Sequence, residues 1–430
     1  MTERSSLRPT GALRRQGHRG RRRLRSLGYA GLAGIIATMS FAAWGGSVGA
    51  SASGTARHGA KGSPILICEV SALSGPALGV GIGDKNGITA YVKWINAHGG
   101  VLGHPYRLVA LDDTSTPSVA VADVRKCVTQ IHASFILGPG ETDDYVAAVP
   151  VANALHTVLI EQGAGWASVG IPKSQLTSYS FPGLYNAYRQ NDLDMVQKII
   201  LPRHYKRVAV INGCDPLCNM NTSYMEQYAK QYGFKVVASQ AITYSQTDDT
   251  PQVIHLLAAH PQAIVLGIPP GQDTVTFLKA LRAESSTIPV GECAVCTLPS
   301  FAAAVGGASA LKNVYVLGGV NMLLQHTPSK AAKTNITNYI KGMKAVGYGS
   351  TSNIVQDLVG WASGMELTAG IEAAHSTNEN AVRNALAHQH ISLLGWSWAR
   401  TPQNYANISA YHSVMAIWAP NGQLKVYKAS

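Results

Sequence analysis

This sequence predicts an α/β protein of two similar lobes, each built on a parallel sheet. Three observations carry that prediction. From Pro64 onward, short apolar and β-branched runs alternate with amphipathic windows at helical spacing. The alternation restarts near Asp192, giving two series of about 120 residues each, the size of one domain. The chain of 430 residues is 46% hydrophobic and 13% charged, which is enough apolar material for two cores.

The first series begins with the strand Ile65–Val70 and the helix Ile82–Ala97. The strand Arg107–Leu111, the helix Pro117–Ile131 and the strand Phe135–Leu137 follow. Helix Tyr145–Leu155 and the strands Thr157–Ile160 and Tyr179–Phe181 complete it. The second series opens on helix Asp192–Leu201 and the strand "RVAVI", Arg207–Ile211, whose β-branched residues mark a buried strand. Helix Tyr224–Tyr232, strand Lys235–Ala241, helix Pro251–Ala259, strand Ala263–Leu266, helix Thr274–Ala283 and the strands Ile288–Val290 and Val314–Leu317 follow. Helical windows then cover Lys330–Ala345, Ile354–Ala374 and Glu379–Ala387. The tail "YHSVMAIWAPNGQLKVYK" reads as a hairpin turning at Asn421-Gly422. Repeated β–α–β units imply right-handed crossovers with helices on both sheet faces.

Charge is unevenly distributed. The formal net charge is +12, but residues 1–62 hold eleven Arg or Lys and one Glu. The remainder holds 24 basic and 22 acidic residues, so the body is nearly neutral and a nucleic-acid partner is not expected. The basic excess belongs to a leader. Seven arginines between Arg14 and Arg25 precede the apolar run Leu27–Trp44, and Ala50-Ser51-Ala52 resembles a cleavage site. That is the layout of a secretory signal peptide over 1–52, with a linker at 53–63. An uncleaved anchor is the alternative, and Arg21-Arg22-Arg23-Leu24 partly matches a twin-arginine signal. No cysteine precedes Cys68, so a lipobox is not expected, and the body is expected outside the cytoplasm. There the six cysteines meet an oxidising compartment, and the expected pairs are Cys68–Cys127, Cys214–Cys218 and Cys293–Cys296. A zinc site made of the last four is the alternative.

The stretch "ALSGPALGVGIGDKNG", residues 72–87, follows the first strand and reads as a glycine-rich turn. Asp84 stands where a dinucleotide fingerprint needs its third glycine, and the Gly-Lys-Ser/Thr of a P-loop is absent. What remains is a turn that brings backbone N–H groups to a helix start, or one packed closely on its sheet. Asp112-Asp113, at a strand end, fits a turn or cap role better than a metal site.

Ser74-Gly75-Pro76, Ile95-Asn96-Ala97 with Gly99-Gly100, Gly103, and Asp112-Asp113 before Pro117 occur in an order and spacing that resemble a known family. It is the type I periplasmic substrate-binding proteins of ABC transporters, in the group that binds leucine, isoleucine and valine. The resemblance extends to "FILGPGETDD", "RVAVING", "AIVLGIPPGQDTVTFLKALR" and "IPVGE". It implies two Rossmann-like lobes joined by a three-segment hinge. Lobe 1 would comprise 64–182 and 317–392, lobe 2 would comprise 183–316, and 393–430 would supply the last crossing and a hairpin of lobe 2. It also implies a small-molecule solute gripped at the carboxyl ends of both sheets, and permease subunits of an ABC importer as partners.

Carried over residue by residue, the family's ligand contacts fall on Val80, Gly140, Thr142, Ala164 and Gly165 in the first lobe, with Trp166 added. Tyr185 is at the first hinge, and Leu217, Pro270 and Glu292 are in the second lobe. Thr142 would donate to an anion and Glu292 would pair with an ammonium. Val80, Leu217 and Pro270 stand where such proteins often carry tyrosine, which points to a larger or less polar solute, such as an amide or aromatic compound. No cofactor and no metal are expected, nor is an enzyme. Gly45-Gly46-Ser47-Val48-Gly49 matches a nucleophile elbow only inside the leader, and His388 and His390 are poorly spaced for one helical face. The rival reading is the ligand-binding subunit of a signalling system.

Overall fold

The computed structural model of the protein describes residues 61–430 apart from 164–173, 175–176, 184–186, 215–219, 244–245, 268–271, 294–295, 298, 328, 353, 406–407 and 429–430. The side chains at 187–188, 214, 220, 272, 292–293, 299 and 408–411 also lie outside the description. The leader expected over 1–52 and the linker up to residue 60 fall outside it as well.

The first series folds as β1 (Ile65–Ser71), α1 (Leu78–Ala97), β2 (Tyr106–Asp112), α2 (Pro117–Thr129), β3 (Phe135–Leu137), α3 (Thr142–Ala154), β4 (Leu159–Ile160) and β5 (Ser180–Phe181). These strands form a parallel sheet in the order β2-β1-β3-β4-β5. Alternation along β1 sends Ile67 to one face and Cys68 and Val70 to the other. The Cys68 face packs on Val124 of α2 and on Tyr145 and Val149 of α3. The expected Cys68–Cys127 disulfide joins β1 to α2 there, with Cα atoms 5.8 Å apart.

The Ile67 face is covered by α1 and by helices from later in the chain: α9 (Val320–His326), α10 (Lys330–Ala345), α11 (Val355–Ala374) and α12 (Glu379–Ala387). The glycine-rich stretch behaves differently from its expected turn. α1 begins at Leu78, not near Ile82, so Gly79 and Gly81 are helical together with Gly83 and Gly87, which the expected helix already held. A Cβ on Gly87 would lie 2.0 Å from the Asp357 carbonyl oxygen, and one on Gly360 would lie 2.1 Å from that of Asp84. The glycines let α1 and α11 approach backbone to backbone, and burial of Ile88, Tyr91, Leu358 and Trp361 offsets their poor helix propensity.

The second series folds as α4 (Ala187–Met195), continued by a π-helical turn at Val196–Ile200, then β6 (Arg207–Cys214), α5 (Met220–Tyr232), β7 (Lys235–Thr243), α6 (Thr250–Ala258), β8 (Ala263–Gly267), α7 (Gln272–Ala283), β9 (Val290–Cys293), α8 (Pro299–Val305) and β10 (Val314–Leu317). β9 begins where the sequence pattern placed its end, because Pro289 has no N–H to give to the ladder. The tail hairpin forms as β14 (Met415–Trp418) and β15 (Leu424–Val426), with Gly422 at φ +76° in its turn. The sheet order is β15-β14-β10-β9-β8-β6-β7. Among its described strands the pairings of β14, with β10 and with β15, are antiparallel and the others are parallel.

Between α12 and β14 lies an antiparallel sheet of β11 (His390–Ser392), β12 (Trp396–Ala399) and β13 (Ile408–Tyr411), which the sequence pattern did not reveal. Its Trp396 and Trp398 join the first lobe's core with Leu393, Leu394 and Tyr405. The chain therefore returns to the second sheet only at Met415.

Candidate functional site

In an open parallel sheet the ligand crevice forms outside the carboxyl ends of the strands, where the strand order reverses. In the first sheet this point lies between β1 and β3. Asp112 organises the loop after β1, its Oδ1 accepting from the backbone N–H of Leu73 (2.9 Å), Ser74 (3.0 Å) and Thr114 (2.9 Å). Partial desolvation would raise the Asp112 carboxyl, yet these hydrogen bonds hold it below the usual range. Ser115 Oγ accepts from Ala77 N and donates to Ser74 O, both at 3.0 Å, so the loop is tied to the exit of β2. The acidic pair thus takes the turn role expected of it.

The exits of β3, β4 and β5 meet at glycines. A Cβ on Gly138 would lie 2.0 Å from Val70 O, and one on Gly163 would lie 2.1 Å from Gly140 O. One on Gly140 would lie 2.3 Å from Asp84 Oδ2 and 3.3 Å from Val80 Cγ1. Gly183 N donates to Glu161 Oε2 at 3.0 Å. The structure therefore brings together two expected contacts, Val80 in the first turn of α1 and Gly140 before α3. Thr142, the first residue of α3, follows with a buried side chain. Ala164, Gly165 and Trp166 continue from Gly163 but lie outside the described residues, as do Tyr185, Leu217 and Pro270. Glu292 is placed by its backbone at the carboxyl end of β9, with its side chain outside the description.

Buried carboxyls lie under these loops. Burial pushes Glu69 up to about 8, against the hydrogen bond from Ser71 Oγ. Asp84 is raised well above the usual range by burial, then by the nearby charges of Glu69, Glu141 and Asp357. Gln356 Nε2 donates to Asp84 Oδ1 at 2.7 Å. Burial lifts Asp144 to about 8, with Asp113 and Asp143 adding to the effect, and lifts Asp357 to about 7. Burial thus favours the neutral forms of these carboxyls, which weakens the negative field beneath the loops. Sequence reasoning had no signal for Asp84 or Gln356, which meet across 272 residues of chain.

The second sheet repeats the arrangement. β7-β6-β8-β9-β10 is the order of the first sheet over again, and its reversal point lies between β6 and β8. Leu217 and Pro270 follow those two strands in the sequence. The crossings between sheets run from strand exits too. The chain leaves the first sheet beyond Phe181 and leaves the second beyond Leu317, which pairs with Met415 at the return. Gly318 N donates to Val414 O at 2.6 Å, and Ser413 Oγ bonds to Asp194 of α4. Arg400, fully buried, holds the first crossing. It donates to Pro182 O (2.8 Å) and Tyr405 O (2.8 Å) and pairs with Glu366 of α11 (2.5 Å). The crossings therefore run from the same carboxyl ends of the sheets as the loops described above.

Cys296 is disulfide-bonded, which removes it from the alternative four-cysteine zinc set, since metal ligation needs thiolates. The side chains of Cys214, Cys218 and Cys293 lie outside the description. Among the described residues no helix is long and apolar enough to cross a membrane.

Comparison with known proteins adds to this geometry. A protein of Brucella suis biovar 1 named Leu/Ile/Val-binding protein homolog 7 is 27% identical over 220 residues, 48% of this chain and 52% of the relative. The Leu/Ile/Val-binding protein BraC3 of Rhizobium johnstonii is 28% identical over 151 residues, 34% of this chain and 39% of the relative. The chain thus spans about half the length or less of these curated relatives. Among solved structures, an extracellular ligand-binding receptor from Rhodopseudomonas palustris HaA2 superposes with a TM-score of 0.72 at 19% identity, over 85% of this chain and 100% of that one. A periplasmic binding protein type 1 from Bordetella pertussis Tohama I gives 0.70 at 18% identity, over 85% and 99%. These two likenesses show the fold. A family model described as periplasmic binding protein matches residues 64–416, most of the chain. With two sheets of one strand order meeting at three crossings, the chain belongs to the periplasmic binding protein family, a family of binding proteins and not of enzymes.

Proposed function

We propose that the protein is an exported solute receptor of an ABC importer, closing its two lobes on a small molecule at the facing strand exits. The observation that carries this reading is the repeated strand order, with the crossings running from the carboxyl ends of strands in both sheets. Val80, Gly140, Thr142, Ala164, Gly165 and Trp166 would contact the solute from the first lobe, Tyr185 from the hinge, and Leu217, Pro270 and Glu292 from the second. The lobe division proposed from the sequence frames this cleft. Names of relatives point to amino acids as the class, and one solved neighbour, from Streptococcus pneumoniae, is described in complex with isoleucine (TM-score 0.67, 19% identity, 85% of this chain and 99% of that one). The apolar Val80, Leu217 and Pro270 favour a solute with a bulkier or less polar body than the group's usual ligands.

Capture at micromolar affinity needs about 8 kcal/mol, within reach of a few backbone N–H contacts and a buried apolar body. A thermal-shift screen of amino acids, amides, aromatic acids and sugars tests the reading. A true solute at about a hundredfold its dissociation constant adds close to 3 kcal/mol. Thr142→Val should then weaken binding of that solute. If no small solute shifts the melting temperature, the receptor reading fails.

A further inference from the structure

At the end of the second sheet away from the strand exits, a cavity of about 610 Å³ opens among the segments that lead into β6, β8, β9 and β10. Its walls are fastened by two arginines. Arg207 Nε donates to His260 O at 3.1 Å and its Nη2 to Ala259 O at 2.5 Å. Arg282 Nε donates to Ala310 O at 2.6 Å, its Nη2 to Lys312 O at 2.9 Å, and its Nη1 to Ser286 O. Asn313 Nδ2 adds a bond to Thr287 O at 2.8 Å. These carbonyls end helices or precede strands, so the cationic side chains also suit the local dipoles.

A third arginine is used differently. The Arg203 guanidinium sits 5.7 Å from the ring centroids of both Tyr315 and Tyr427, and its Nη2 donates to Tyr315 Oη at 2.9 Å. Its Nη1 is shielded from water without a hydrogen-bond partner, and among the described residues no carboxylate forms an ion pair with it. A guanidinium that is fixed by stacking, partly desolvated and not neutralised favours an incoming anion. Ile288, Pro289, Leu257 and Tyr205 give the same cavity an apolar wall.

We infer that this cavity is a second binding site, distinct from the cleft, for a small organic carboxylate whose apolar body lies on that wall while its carboxylate meets Arg203. The space opens to solvent and leaves room for a single-ring or branched acid against its apolar wall. The inference stands whether or not the cleft binds an amino acid.

Benzoate is the probe, with benzamide as its neutral counterpart and inorganic phosphate as a compact anion. Each is titrated into the ¹⁵N-labelled full protein and followed by amide shifts. Benzoate should saturably shift the amides of Gln262, Ile288 and Asn313, at least tenfold more tightly than benzamide, and less tightly as salt rises. Arg203→Gln should abolish the preference for benzoate over benzamide, and Thr142→Val should leave it intact. The comparison of the three probes needs no variant, so a misfolded Arg203→Gln does not protect the inference. Equal binding of benzoate and benzamide, no saturable shift at these amides, or phosphate binding as tightly as benzoate would overturn it.

Discussion

The two lobes share one strand order and are secured by different means. Disulfide-bonded cysteines occur in both, Cys68 and Cys127 in the first and Cys296 in the second, but in the first a glycine seam joins α1 to α11 and buried carboxyls crowd the strand exits. In the second, the β14–β15 hairpin widens the sheet, and arginines fasten the opposite, amino-end loops. The comparison teaches that topology decides where loops emerge, while residues the topology does not require decide their chemistry. Acid-rich exits in one lobe and a basic rear cavity in the other sit on the same winding.

Removing the disulfide should sharpen the contrast most. Cys68→Ala with Cys127→Ala releases a loop with a sequence separation of 59, worth about 4 kcal/mol by loop-closure entropy. Tryptophan fluorescence is suited to the measurement, because Trp361, Trp396 and Trp398 lie in the first core and Trp418 lies in the second. Urea unfolding followed this way should move sharply to lower midpoint. An unmoved transition would mean that the bond does not stabilise the first lobe.

The glycine seam comes next. Gly87→Ala places a Cβ against Asp357 O and should cost about 1–3 kcal/mol as the helices are pushed apart. Gly79→Ala, in the same helix with nothing within 4 Å of its Cβ, should be neutral or stabilising by up to about 1 kcal/mol. Equal melting temperatures for the two variants would refute the close approach.

The smallest expected effect concerns pH. The folded-state value of Glu69 lies near 8, above its ordinary 4.5. The folded state therefore holds the proton more tightly. This favourable contribution is complete below about pH 4.5 and is lost as pH rises through 8. Asp144 acts in the same direction. The protein should be more stable at pH 5 than at pH 8, and Glu69→Gln should flatten that slope. A variant with the parent's pH profile would show that Glu69 is not the group responsible.

Local pattern made much of the fold legible. β1, β6 and β8 are apolar runs that need only their own residues to declare themselves, and Asn421-Gly422 announced the last hairpin. Val80, Gly140 and Thr142 came from the resemblance to the family, and the structure places them in the segments that follow strand ends. The glycine stretch was misread as a turn because glycine disfavours helix locally, and only α11, far along the chain, compensates. Arg400 gave no signal either, since its partners Pro182, Glu366 and Tyr405 come from three separate segments.

By itself, the sequence determined the alternation of strands and helices, the two series, the Cys68–Cys127 pair and the charge asymmetry of its N-terminus. These depend on residue type and short-range spacing. Only the tertiary structure decided that the glycines pack helix on helix, that a tryptophan-bearing sheet belongs to the first core, and that three arginines converge behind the second sheet. Each of these rests on contacts between distant segments, and periodicity within a segment carries no information about which distant surface will cover it.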